Sequence, residues 1–135
     1  MSLVGCEVSA PLVEADAAPD AVVEQIAVAS DGSVQHRQIR LSEALADPDR
    51  IVLVDFRADW CGPCRQLDPE LQSIAVEFPD QVLVVTVDVD LHIGLAQYFQ
   101  VSTIPDVRYF RSGKAVGGML GFRDAAGIVS RLNLK

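Results

Sequence analysis

Cys61 and Cys64 are separated by two residues in "RADWCGPCR", beside Trp60, and Asp55 stands six positions before the first of them, near the end of the apolar run "IVLVDF". A Cys-x-x-Cys pair supports three readings: a dithiol that exchanges electrons, half of a tetrahedral zinc site, or plain packing. A zinc site needs two further ligands, and outside the pair the chain offers as thiol or imidazole only His36, His92 and Cys6. None sits at a paired ligand spacing, and both histidines read as solvated surface residues, so no metal is expected.

The elements around the pair favour electron exchange. From Cys64 onward Leu67, Leu71, Ile74, Ala75 and Phe78 recur at helical spacing, so Cys64 enters a helix and Cys61 sits at its mouth. There the unpaired N–H groups and the positive end of the helix dipole stabilise a thiolate. A free cysteine titrates near roughly 8.5, and such a setting lowers that by one to several units. Cys61 is therefore the expected nucleophile. Cys64, one turn further in, is placed to attack a mixed disulfide on Cys61 and release the partner. Pro63 loses no hydrogen bond in the first turn and stiffens the link between the sulfurs, while Gly62 keeps the approach open. Pro69 is expected to kink the helix. "IVLVDF" reads as a strand buried on both faces, where an acid is out of character. Without the cysteines Asp55 would be taken as a structural acid bonded to backbone N–H groups; beside them a functional role is favoured.

Composition narrows the partners. The 135 residues are 50% hydrophobic and 22% charged, which suits one globular domain. A formal charge of −8, with no Lys/Arg cluster, argues against nucleic acid. No apolar run approaches the 18 or so residues of a membrane span.

Residues 1–21, rich in Ala, Asp, Glu and Pro, read as a flexible leader, and residues 22–135 as the domain. Two alternating runs around Ser30-Asp31-Gly32-Ser33 predict a hairpin. Ser42 is expected to cap a short helix that ends before Pro48. "VLVVTVDV" is a second buried strand, Asp90 is expected to cap a helix through Phe99, a hairpin turns at Ser112-Gly113, and Asp124 opens a last helix to Leu132. The order (β)βαβαβαββα implies an α/β fold with a mixed central sheet covered by helices on both faces.

"VDFRADWCGPCR" resembles the active-site segment of the thioredoxin family, and "WCGPC" is a highly specific match; the resemblance runs without a gap from about Ile51 to about Phe122. It implies a thioredoxin fold, here with an extra N-terminal strand or hairpin. It also implies a cis-proline at Pro105 in "STIPD", facing the nucleophilic sulfur, with Ile104 offering its backbone to a substrate chain. A trans turn proline is the commoner state in general. By the same resemblance Asp55 is the family's buried aspartate, a proton acceptor for Cys64, and Pro69 and Gly121 are its helix proline and hairpin glycine.

Three positions depart from the family's pattern. Arg57 replaces a tryptophan, Thr86 a lysine beside the buried acid, and Asp106 a threonine after the cis-proline. Without the lysine's charge, desolvation is expected to raise the Asp55 pKa. Arg57 and Asp106 pull the Cys61 thiolate in opposite senses, and only their distances decide the net effect.

The expected activity is protein disulfide reduction by the Cys61/Cys64 dithiol, through a mixed disulfide and with no bound cofactor, in a monomer. Substrate proteins dock around Trp60, Ile104 and Pro105, and an upstream donor, a thioredoxin reductase-like enzyme or a membrane reductant, recharges the pair. The alternative is an envelope-anchored module with one dedicated partner, acting as oxidant, isomerase or peptide binder. It takes "LVGC", residues 3–6, as the end of a bacterial lipoprotein signal with a lipidated Cys6, although the charged start and apolar core of such a signal are missing. That reading places the protein in the cell envelope or periplasm; a chain complete as given is expected in the cytoplasm.

Overall fold

A computed structural model describes residues 10–135; Cys6, and with it the lipid-anchor reading, lies outside the described residues. The elements follow the expected order: β1 (Val22–Val28), β2 (Val34–Arg40), α1 (Leu41–Leu45), β3 (Ile51–Arg57), α2 (Gly62–Glu77), β4 (Val82–Asp88), α3 (Ile93–Tyr98), β5 (Asp106–Arg111), β6 (Lys114–Leu120) and α4 (Ala125–Leu132). Six strands form one sheet in the order β2-β1-β4-β3-β5-β6. Only β3 and β4 run parallel, and both are buried over most of their length, as their mainly apolar runs require. The extra hairpin joins through β1, which pairs antiparallel with β4 over Glu24–Ile26 and leaves β2 at the edge. That edge carries exposed Gln35, His36, Arg37 and Gln38, a polar surface that discourages strand addition.

The two-residue period of β3 divides the core. Val52, Val54 and Phe56 face α1 and α3, where Phe56, Phe99 and Phe110 meet at ring separations of 5.6 and 6.0 Å. Leu53 faces α2 and α4 with Leu67, Leu71, Ile74 and Ile128. Asp55 and Arg57 share that second face by alternation, which aims them at α2. The β5–β6 turn holds Ser112 and Gly113 at φ of 51° and 78°, the left-handed pair that a tight hairpin requires.

Three features go beyond the expectations. First, residues 10–21 make contacts with the domain. Ala10 is buried against Gly118, the Pro11 carbonyl accepts from Arg108, Glu14 accepts from the Ala115 N–H, and Val13, Ala15 and Ala18 pack on the α1/α3 core. This strap covers sheet surface that the single turn of α1 and the short α3 leave open. Second, Ser42 does not cap α1. Asp20, at the end of the strap, accepts its N–H at 3.0 Å and its hydroxyl at 2.7 Å. Third, α3 begins after His92 without a side-chain cap, two residues beyond Asp90, which accepts from Trp60. Asp124 caps α4 as expected, accepting from the Gly127 N–H at 2.8 Å. No helix among the described residues is long and apolar enough to cross a membrane.

Candidate active site

Strand β3 ends at Arg57, and Ala58, Asp59 and Trp60 lead into Cys61, the residue that precedes the first turn of α2. The turn is started by the sulfur itself: Cys61 Sγ accepts the Cys64 N–H at 3.2 Å, and the Arg65 N–H bonds the Cys61 carbonyl at 3.1 Å. Pro63 lies in this turn and costs no donor. Gly62 is exposed, with nothing within 4 Å of where a Cβ would stand. Cys61 and Cys64 are disulfide-bonded with their Cα atoms 5.2 Å apart. Cys61 is 5% exposed and Cys64 only 1%, so an incoming sulfur reaches Cys61 first. Both pack with Ala58 against Val89 and Ile104.

The Ile104–Pro105 peptide bond is cis. It lies opposite the cysteines, with the Ile104 carbonyl oxygen 3.8 Å from Cys61 Sγ, close enough to accept the S–H of the reduced protein. The loop is anchored by the Gly121 N–H, which donates to the Pro105 carbonyl at 2.8 Å; Gly121 has a φ of 81°, a backbone position that suits glycine. Trp60 is 70% exposed beside this opening, and its Nε1–H donates to Asp90 at 2.8 Å.

Asp55 lies beneath, fully enclosed, and neither carboxyl oxygen has a hydrogen-bond partner among the described residues. Burial pushes its pKa up to about 7; Asp68 and Asp106 add to the rise and Arg57 opposes it. Thr86 stands opposite Asp55 in the β3–β4 register and brings no charge, in line with the expected direction.

Both remaining departures are tied down. Arg57 forks onto Asp68 through Nε at 3.2 Å and Nη2 at 3.1 Å, and donates to Asp59 through Nη1 at 2.9 Å. Asp106 is held by Arg108 at 2.6 and 2.8 Å, both side chains being buried. Asp68 and Arg108 went unnoticed in the sequence. Asp68 looks like an ordinary polar position of an amphipathic helix, and Arg108 occupies one of the alternating positions of β5 with nothing to mark it as enclosed. His36 pairs with Glu24 at 3.9 Å near the sheet edge, while His92 precedes α3; among the described residues no three His, Cys, Asp or Glu side chains converge as a metal site.

A sheet built around β3 and β4, with a disulfide-forming Cys-x-x-Cys at a helix mouth facing a cis-proline, defines a thioredoxin-fold thiol-disulfide oxidoreductase. The profile of the thioredoxin family matches residues 33–134, and the chain belongs to that family. It is similar to a thioredoxin-like protein of Synechocystis sp., 32% identical over 102 residues that cover 76% of this chain and 97% of that protein. It also resembles the thioredoxin of Chlamydia muridarum, 40% identical over 62% of this chain and 80% of that one. A third relative is the bifunctional thioredoxin reductase/thioredoxin of Mycobacterium leprae, 40% identical over 61% of this chain and 19% of that protein. The strap and β1 precede the family match.

Proposed function

We propose that the chain reduces disulfide bonds of protein substrates, and that Cys61 is the nucleophile. The observation that carries this reading is the stacked placement of the two sulfurs: Cys61 at the N-terminus of α2 facing the Ile104–Pro105 loop, Cys64 buried behind it. The Cys61 thiolate attacks a substrate disulfide; a Cys61–substrate S–S bond forms and one substrate sulfur leaves as thiolate and takes a proton from water. Asp55 accepts the Cys64 proton, directly or through water. Cys64 then attacks Cys61 Sγ, closing the Cys61–Cys64 bond and expelling the second substrate thiolate. Two electrons pass to the substrate, and a reductase of the kind named in the Mycobacterium leprae relative restores the dithiol.

Substrate chains lie in extended form against Ile104 and Pro105, with Trp60 covering one side. Gly62 and Pro63 hold the linking loop open and stiff. The test is Cys64→Ser in the full chain, reduced beforehand, freed of reductant and mixed with cell extract. A reductase accumulates many mixed disulfides at Cys61, and the wild-type chain turns over a protein disulfide with dithiothreitol as electron source. One trapped protein only, with negligible turnover, replaces this reading with a dedicated module.

A further inference from the structure

Asp55 has no hydrogen-bond partner among the described residues, and the charged groups around it come from different elements. Arg57 lies two residues along the same strand and faces the same side of the sheet, at a Cα spacing of about 6.5–7 Å. Its side chain is 15% exposed and held in one position by the fork onto Asp68 and the contact with Asp59. Asp68 comes from α2, which packs over that face, and Asp106 from β5, though paired with Arg108, also favours the protonated acid. Glu24 of β1 and His36 of β2 stand further out. With Ile26, Arg57, Asp68, Gln72 and Thr86 they line a cavity of about 200 Å³. The Arg57–Asp68 pair therefore lies on the Asp55 face of β3, its positive and negative ends acting on Asp55 with opposite sign.

We infer that Arg57 and Asp68 are positioning residues that set how tightly Asp55 holds its proton, Arg57 favouring the carboxylate and Asp68 the acid, and so set the pH at which Cys64 is deprotonated for resolution. The cation that opposes burial of the acid comes from β3 itself, while Thr86, facing Asp55 on the neighbouring strand, supplies none. The second part of this inference rests on the proposed role of Asp55; the electrostatic part does not.

The experiment follows the Asp55 carboxyl carbon by NMR from pH 4 to 10 in the reduced full chain, for wild type, Arg57→Gln, Arg57→Lys and Asp68→Asn. The Asp55 midpoint is expected to rise by about one pH unit in Arg57→Gln, to fall by a similar amount in Asp68→Asn, and to return towards wild type in Arg57→Lys. A merely structural pair would move both neutralising variants in the same direction or neither, and either result overturns the inference. Asp68 is one-third exposed, so Asp68→Asn retains the test if Arg57→Gln does not fold. The pH profile of mixed-disulfide resolution, measured on the same variants, should follow the NMR midpoints. Opposite NMR shifts with a resolution profile that ignores them keep the electrostatic pair and sink the proton-acceptor role of Asp55.

Discussion

Arg108 and Asp106 form a buried two-point ion pair directly behind the cis-proline loop, and the third donor of the same guanidinium reaches the Pro11 carbonyl at 3.1 Å. Its Cζ also lies 5.9 Å from the centroid of the Phe56 ring, so one side chain joins β5, β3 and the strap. Removing one partner leaves the other charged and enclosed. Arg108→Met should lower stability by about 3–5 kcal/mol in urea unfolding. The double variant Asp106→Leu/Arg108→Met should recover most of that loss, because no charge is stranded. A single variant as stable as wild type would mean that the pair is solvated.

The raised pKa of Asp55 links stability to pH. Its folded value of about 7 exceeds the unfolded value near 3.9, so the folded state holds the proton more tightly between them. The contribution of this group is therefore complete below about pH 4, is lost as pH rises through 7 and changes little beyond. Asp55→Asn removes the loss. The variant should match wild type near pH 4 and exceed it by up to about 4 kcal/mol at pH 8, as read by denaturant unfolding at both pH values.

The same group should limit resolution. In stopped-flow release of a thiol from a mixed disulfide at Cys61, the wild-type rate should rise with pH through an inflection near 7, as Asp55 becomes able to accept a proton. Asp55→Asn should be slower by about 100-fold at pH 7 and should lose the inflection near 7. An unchanged profile would remove Asp55 from the proton path.

Asp90 holds the indole of Trp60 beside the opening. Asp90→Ala breaks one exposed hydrogen bond, so stability should change by less than about 1 kcal/mol. Trp60 fluorescence anisotropy should fall, and KM for protein disulfides should rise more than kcat falls. Equal losses in both would assign Asp90 to the chemistry instead.

Gly118 admits the strap. A Cβ there would stand 2.7 Å from the Val107 carbonyl oxygen and 2.9 Å from the Ala10 side chain. Gly118→Ala should cost about 1–3 kcal/mol and speed proteolysis within residues 10–21. Cleavage at the wild-type rate would show that the strap is not seated by this contact.

Much of this molecule is legible in its residues because the signals are local. Mainly apolar runs mark β3 and β4, a 3.6-residue period marks α2, and Cys61-Gly62-Pro63-Cys64 places a thiol at a helix mouth whatever surrounds it. The turn at Ser112-Gly113 and the cap at Asp124 are likewise decided within a few residues. The strap is not readable this way. Its short apolar residues have no period, and only packing on the α1/α3 core gives Val13, Ala15 and Ala18 their places. Asp20 and Asp90 illustrate the same limit, since one caps a helix 22 residues away and the other takes an indole donor 30 residues away.

By itself, then, the sequence determined the α/β order, the reacting pair and the unusual acid at Asp55, all of which depend on neighbours in the chain. Tertiary structure alone decided what each charge does. Arg57 meets Asp68 across 11 residues, and Arg108 meets the Pro11 carbonyl across 97. A charge acts through distance and burial, and neither exists until strands and helices from separate parts of the chain have packed together.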